Sequence, residues 1–302
     1  MTDDAFRSRL FSENLKQRKD CAQRRLIEAY KPTLDFHPTG SFMINASAWN
    51  HVQGLGIEPK TVFAHPDLLQ AYPTTSFYYR GMALLSLKRV QQAAGSVSSW
   101  ENGTHGRPVQ DHKALNVARL YNTMISSMIE GSSDWTLDNG YRNIVATMGI
   151  YLDGMFRNQI GKMAEDAVRG RIVAWMKAVE LIDSHSPDLG SYQLPKNTLM
   201  TFGSEPDIDF TRDDSSVATI EIKGGRDPAG ALERLGAMSK SFAETPPGCV
   251  NFLVAGVITP EMRARLDAIG NVKVYLLDDI SRDGELWDDF TNEVFHHAVR
   301  VF

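Results

Sequence analysis

Two short segments in the second half of the chain carry acidic and basic side chains at positions that suit a catalytic centre. The first, residues 203–210, contains Asp207, and the second, residues 217–225, contains Glu221 and Lys223. Both segments are predicted strands, the second because it is rich in β-branched residues, and an Asp-Asp-Ser turn composition separates the two. Because side chains alternate across a strand, Glu221 and Lys223 share a face, and an antiparallel hairpin would bring Asp207 beside them. Two carboxylates placed together can bind a hard divalent cation, and the amine would lie beside that cation.

The order Pro206-Asp207 followed by Glu221-Ile222-Lys223 resembles the catalytic signature of the PD-(D/E)XK nucleases. The resemblance implies hydrolysis of DNA phosphodiesters with Mg²⁺, for which Mn²⁺ can substitute. It makes Asp207 and Glu221 catalytic metal ligands, with the backbone carbonyl of Ile222 as a third ligand. It also makes Lys223 a catalytic residue.

Phosphodiester hydrolysis explains why these residue types occur together. A divalent cation neutralises charge on the phosphate and acidifies a water molecule, and magnesium prefers carboxylate ligands. A lysine can position the attacking water or stabilise the transition state. The alternative is an exposed hairpin whose surface glutamate and lysine have no chemical role.

The helix expected before the hairpin supplies a further candidate. In the PD-(D/E)XK nucleases, such a helix often carries another glutamate near the metals. Glu165 is the best-placed residue for this catalytic role. A glutamate that simply faces solvent is the alternative at this position.

The predicted fold class is α/β (α+β), with a PD-(D/E)XK restriction-endonuclease-like core. Its mixed central sheet is flanked by helices and preceded by a mostly helical N-terminal region. Two domains are expected: residues 1–135 for DNA contact, dimerisation or both, and residues 136–302 as the nuclease core. Apolar periodicity predicts the helices before the sheet over 4–30, 75–94, 111–130 and 139–181, the last with a break near 149–161. After the hairpin, the predicted order is a helix near 227–242, a strand over 250–257, a helix over 260–269, a strand over 272–277 and a helix over 285–299.

Basic residues near these elements are candidates for DNA contact. Arg226 and Arg234 follow the catalytic strand, where a helix N-terminus would favour a phosphate, and Lys240 lies further along the same helix. Arg107 lies in a polar loop, residues 95–108, that could read base edges in a groove. A tight strand-to-helix turn and an ordinary surface loop are the respective alternatives.

The run from Glu221 to Arg234, with Lys240-Ser241-Phe242 beyond it, is most similar to the XcyI group of type II restriction endonucleases. The close similarity covers about residues 205–242. Membership would imply a GC-rich palindromic target such as CCCGGG, double-stranded DNA as substrate, and a DNA methyltransferase as genetic partner. A palindrome also suggests a homodimer, in which each subunit reads one half-site.

Length, charge and the absence of targeting segments limit the class of protein and its expected localisation. The chain has 302 residues, a net charge of −5 and two cysteines, so DNA binding would require a locally basic cleft. Because the sequence shows neither a signal peptide nor a membrane-spanning run, a cytoplasmic protein without membrane contact is expected. Two other functions stay open: a repair or recombination nuclease that reads DNA structure, and a non-catalytic DNA-binding protein with a nuclease-like core.

Overall fold

The computed structural model describes residue 12 and residues 19–186, 190–228, 230, 235–236, 238 and 241–302. The chain divides into two compact units, Met1–Phe156 and Arg157–Phe302. The division falls inside the long helix Leu137–Ala178, well after the domain boundary expected at 135/136, and that boundary stays a prediction. Within the described residues, no helix combines the length and the apolar character needed to cross a lipid bilayer.

The described part of the first unit is helical, as the sequence predicts. Its α-helices are α1 Lys19–Ala29, α2 Ala46–Gly54, α3 Pro66–Ala71, α4 Ser76–Met82, α5 Leu87–Ala94, α6 Ser98–Glu101, α7 Asp111–Glu130 and the start of α8, Leu137–Ala178. The helices bury a core that contains Phe63, Tyr79 and Tyr121. Arg80 is 1% exposed and forms a bidentate ion pair with Glu101, at 2.7 and 2.8 Å.

The helices of this region agree with the prediction at 111–130 and differ from it at two other places. The prediction for 111–130 is confirmed by α7. The helix expected over 75–94 is instead two helices, because Leu84 has a left-handed backbone (φ +51°) that interrupts the hydrogen bonding. The break expected near 149–161 is absent, and α8 is continuous there. Its glycines in this stretch have no neighbouring atom within 4 Å of an added Cβ, so no close contact interrupts the helix at these positions. The part of the 4–30 helix before Lys19 lies outside the described residues, apart from residue 12.

The second unit is built on a mixed seven-stranded sheet, which confirms the predicted fold class. Its strands, in spatial as well as chain order, are β1 Ser184–Ser186, β2 Ser191–Leu194, β3 Thr198–Phe202, β4 Ile208–Arg212, β5 Ser215–Lys223, β6 Val250–Ala255 and β7 Val272–Leu276. Strands β1 to β5 pair antiparallel, whereas β5, β6 and β7 pair parallel. The helices that follow β6 are α9 Pro260–Ile269, α10 Leu277–Ile280, α11 Glu285–Thr291 and a π-helical segment Asn292–Ala298.

The two faces of β5 differ, as its alternating sequence predicts. Ala218, Ile220 and Ile222 are buried in a core with the C-terminal half of α8, whereas Glu221 and Lys223 lie on the other face. The antiparallel β4–β5 hairpin is confirmed, with Ile208 opposite Ile220. Strand β4 begins only at Ile208, so residues 203–207 form a bend in front of it and not the strand expected there.

The element order after the hairpin also follows the prediction where the structure describes it. Strands β6 and β7 and helix α9 are present, and the Thr259 side chain caps α9 by accepting from the Met262 N–H. Half of the residues of the helix expected over 227–242 lie outside the described residues. The closing helix over 285–299 is regular only to Thr291, after which the chain continues as the π-helical segment.

Candidate active site

Asp207 lies at the end of the bend that leads into β4. It is 3% exposed, and its Oδ2 accepts a 2.6 Å hydrogen bond from the Ile222 N–H. Backbone pairing between β4 and β5 extends only to Ile208. Beyond that point, the hydrogen bond from the Ile222 N–H to the Asp207 carboxylate takes the place of a backbone hydrogen bond between the two strands. The strand pair therefore holds this carboxylate at one end of the hairpin.

Glu221 and Lys223 meet this carboxylate on the polar face of β5. The Lys223 ammonium forms an ion pair with Glu221 Oε1 and lies 3.9 Å from Asp207 Oδ2. Glu221 is 2% exposed, and its second oxygen, Oε2, is buried without a hydrogen-bond partner. The tertiary structure thus brings together Asp207, Glu221 and Lys223, the three residues selected from the sequence.

Helix α8 adds a glutamate and an arginine to this group. Arg169 Nη2 lies 3.9 Å from Glu165 Oε2 and 3.7 Å from Asp207 Oδ1. The same nitrogen donates hydrogen bonds to the carbonyl oxygens of Gly203 and Asp207, at 2.8 and 2.9 Å. Glu165 therefore acts on Asp207 through its charge, whereas Arg169 lies within 4 Å of the carboxylates of both Asp207 and Glu165.

Two glycines allow α8 and the end of β6 to pack closely against the end of β5. A Cβ atom on Gly224 would collide with Ala164, which precedes Glu165 on α8. A Cβ atom on Gly256 would lie 2.6 Å from the carbonyl oxygen of Gly224. The glycine after Lys223 thus has a packing role in this structure, because the helix that carries Glu165 lies directly against it.

The surroundings of Asp207 change its acidity. Burial raises the pKa of Asp207 from 3.8 to about 6, and the nearby charges of Glu221 and Glu165 act in the same direction. The hydrogen bond from Ile222 and the charge of Lys223 lower this pKa but do not outweigh burial. A cation that binds this carboxyl group would therefore compete with its protonation as the pH falls toward about 6.

The donor set fits a divalent cation. Asp207 and Glu221 supply carboxylate oxygens, of which Glu221 Oε2 has no partner. The Ile222 carbonyl points to the same side of β5 as its N–H, because both groups of a strand residue face one neighbour, and that side is occupied by Asp207. Among the described residues, no three His, Cys, Asp or Glu side chains converge as a metal cluster, so the backbone carbonyl would complete the set.

Asp209, two residues after Asp207 in the first segment, has a different environment. Its Oδ2 accepts a 3.1 Å hydrogen bond from the Ser216 hydroxyl. Burial raises its pKa, whereas the bond from Ser216 lowers it. Both carboxylates accept a hydrogen bond from β5, but only Asp207 is bonded at Ile222, between Glu221 and Lys223, and it is therefore the better placed of the two.

The candidate DNA-contacting residues are more scattered. Arg226 donates a 2.5 Å hydrogen bond to Asp278 in an exposed ion pair, so part of its charge is already neutralised. Arg107 lines an open pocket of about 470 Å³ together with Trp100 and His105 in the first unit. Arg234 and Lys240 lie outside the described residues.

Arg169 is the residue at this site that the sequence reasoning missed. The sequence feature that could have identified Arg169 is its four-residue spacing from Glu165, which places an acidic and a basic side chain on one face of a helix. Such pairs are common on helix surfaces, so the spacing alone did not distinguish this arginine from a solvated one. Only its contacts with residues 203–207 identify its place in the site.

Comparison with known proteins adds an independent observation. A family model described as XcyI restriction endonuclease matches residues 40–296, which is most of the chain. A search among individually curated proteins finds no matching relative. Since the family match extends over both compact units and includes every described residue of the candidate site, this chain belongs to the XcyI restriction endonuclease family.

Proposed function

We propose that the protein is a type II restriction endonuclease that hydrolyses phosphodiesters in double-stranded DNA, at a specific sequence and with Mg²⁺. Its family supports a nuclease. The observation that carries the metal-dependent chemistry is the pair of buried carboxylates, Asp207 and Glu221, beside the Lys223 ammonium, in which Glu221 Oε2 has no hydrogen-bond partner. A buried, unpaired carboxylate oxygen is unfavourable unless a cation binds it.

The roles of the side chains follow from these contacts. Bound Mg²⁺, or Mn²⁺ in its place, would neutralise charge on the phosphate and acidify a water molecule. Asp207 and Glu221 would hold the ion with the Ile222 carbonyl, and the Ile222 N–H keeps Asp207 in position. The Lys223 ammonium, which is paired with Glu221 in the absence of metal, would then be free to orient the attacking water or stabilise the charged transition state.

Sequence recognition and assembly complete the proposal. We assign the helical region before the nuclease core, residues 1–135, to DNA contact, subunit contact or both. Arg107 and Arg226, together with Arg234 and Lys240, are proposed to contact DNA, and binding should weaken as salt rises. A homodimer acting on a GC-rich palindrome such as CCCGGG would let each subunit cut one strand, and a methyltransferase of the same specificity would protect the cytoplasmic host DNA.

The test is digestion of unmethylated phage DNA with Mg²⁺, followed by sequencing of the fragment ends. We expect discrete fragments with a common end sequence and no cleavage in excess EDTA. Glu221→Gln should remove cleavage, whereas the matched change Glu261→Gln, at an exposed position in α9, should leave it intact.

Three results would contradict the proposal. Cleavage by the Glu221→Gln variant would exclude this carboxylate as a required ligand. Cleavage restricted to branched or damaged DNA would indicate a repair or recombination nuclease. Specific DNA binding without hydrolysis by the wild type under any divalent ion would indicate a non-catalytic DNA-binding protein.

A further inference from the structure

The guanidinium of Arg169 is held beside the catalytic carboxylates by several contacts. Its Nη2 donates to two carbonyl oxygens of the 203–207 bend, and its Cζ lies 5.2 Å from the ring centre of Phe202. The side chain is 19% exposed. These contacts keep its charge within 3.7 Å of Asp207 Oδ1 and 3.9 Å of Glu165 Oε2.

The two oxygens of Asp207 therefore face different cations. Oδ2 lies toward the Ile222 N–H and, at 3.9 Å, the Lys223 ammonium, on the side of the candidate metal ligands. Oδ1 lies toward Arg169 and helix α8. A second divalent ion that bridged Asp207 and Glu165 would have to share these oxygens with the guanidinium.

The charges at the site also favour a single ion. Three carboxylates, Asp207, Glu165 and Glu221, stand against two cations, Arg169 and Lys223, which leaves one net negative charge when all are ionised. One divalent ion would make the group positive by one charge, and a second would leave three uncompensated positive charges. Around the two buried carboxylates, where water screens charges less, repulsion between like charges at such distances is considerable.

We propose that Arg169 supplies the positive charge on the α8 side of Asp207 that a second metal ion would otherwise supply, so that each active site binds one divalent ion. Glu165 then acts by orienting Arg169 and is not a metal ligand. This inference rests on the proposed metal-dependent nuclease and specifies its metal count.

The experiment measures Mn²⁺ binding to the full-length protein without DNA, by the loss of the free-ion signal in electron paramagnetic resonance. Wild type should bind one ion per chain, and Glu221→Gln should weaken that binding. Arg169→Ala should add a second ion, bound at least about tenfold more tightly than any second ion in wild type. Arg169→Lys keeps the charge but not the planar guanidinium, and it should still bind one ion.

A matched control separates this effect from general loss of charge on α8. Arg171 lies on the same helix and pairs at 2.6 Å with Asp283, over the ring of Trp287. Arg171→Ala should leave the count at one ion. In the Arg169→Ala background, Glu165→Gln should abolish the added ion, because that ion would use the Glu165 carboxylate.

Each contrary result has a distinct meaning. Two ions of similar affinity in wild type would overturn the inference and leave the proposed function in place, as would an unchanged single ion in Arg169→Ala. Arg169→Lys with two ions would show that positive charge is not what excludes the second ion, and would also overturn the inference. A wild type that binds no ion and shows no metal-dependent cleavage would overturn the proposed function and the inference together.

Discussion

Replacement of Asp207 by asparagine should make the metal-free protein more stable at alkaline pH and should reduce its stabilisation by Mg²⁺. Burial raises the pKa of this carboxyl from 3.8 to about 6. An acid whose pKa is raised by folding contributes stability that is complete below its unfolded pKa and is lost as the pH rises through about 6. The ionised carboxylate is therefore unfavourable in the metal-free site at pH 8, and a neutral amide of the same shape removes that penalty.

The magnitude follows from the pKa shift. A rise of about two units corresponds to an upper limit of about 3 kcal/mol, at about 1.4 kcal/mol per unit. The asparagine accepts a weaker hydrogen bond from the Ile222 N–H, which offsets about 1 kcal/mol. We therefore expect a gain of about 1–2 kcal/mol at pH 8, or about 2–3 °C in Tm for a chain of this size. The gain should shrink toward zero near pH 4.5, where the wild-type carboxyl is protonated.

The assay is thermal unfolding of wild type and Asp207→Asn from pH 4.5 to 8.5, in EDTA and then with Mg²⁺. Metal should raise the Tm of the wild type, because an ion that binds only the folded state stabilises it, and should raise the Tm of the variant much less. Asp209→Asn, two residues further along in β4, is the matched control, and it should keep the full response to Mg²⁺. The reasoning fails if Asp207→Asn lowers the Tm at every pH, or if the Mg²⁺ response is lost in Asp209→Asn and kept in Asp207→Asn.

Two further predictions concern packing and buried charge. Gly224→Ala should destabilise the protein by about 1–3 kcal/mol in thermal unfolding, because the added methyl group overpacks against Ala164. Ala164→Gly should restore part of this loss in the double variant. Gly154→Ala, at a position in α8 with open space around it, should instead be neutral or stabilising in the same assay. In the first unit, Glu101→Gln should cost about 3–5 kcal/mol in urea unfolding, because it leaves the buried charge of Arg80 unpaired. A loss below about 1 kcal/mol in either destabilising variant would contradict the packing or the charge argument concerned.

The hairpin and its three candidate catalytic residues were predictable because they depend on short-range rules. Alternation across a strand puts Glu221 and Lys223 on one face whatever the rest of the chain does. The turn composition before β5 closes the hairpin and brings Asp207 to the same end. The helical character of α7, α8 and α9 follows likewise from local periodicity and, in α9, from the Thr259 cap.

Contacts between distant segments decided the rest of the site. Arg169 joins the group only because α8 packs against the chain at Gly224, and nothing in the sequence near Arg169 reports that approach. The raised pKa of Asp207 likewise arises from burial, which depends on the packing of the whole second unit. Local sequence thus specified which groups could bind a metal ion, whereas their acidity and their cationic neighbours depend on distances between residues far apart in the chain. Those distances are set by tertiary packing, because electrostatic interactions act through space and not along the backbone.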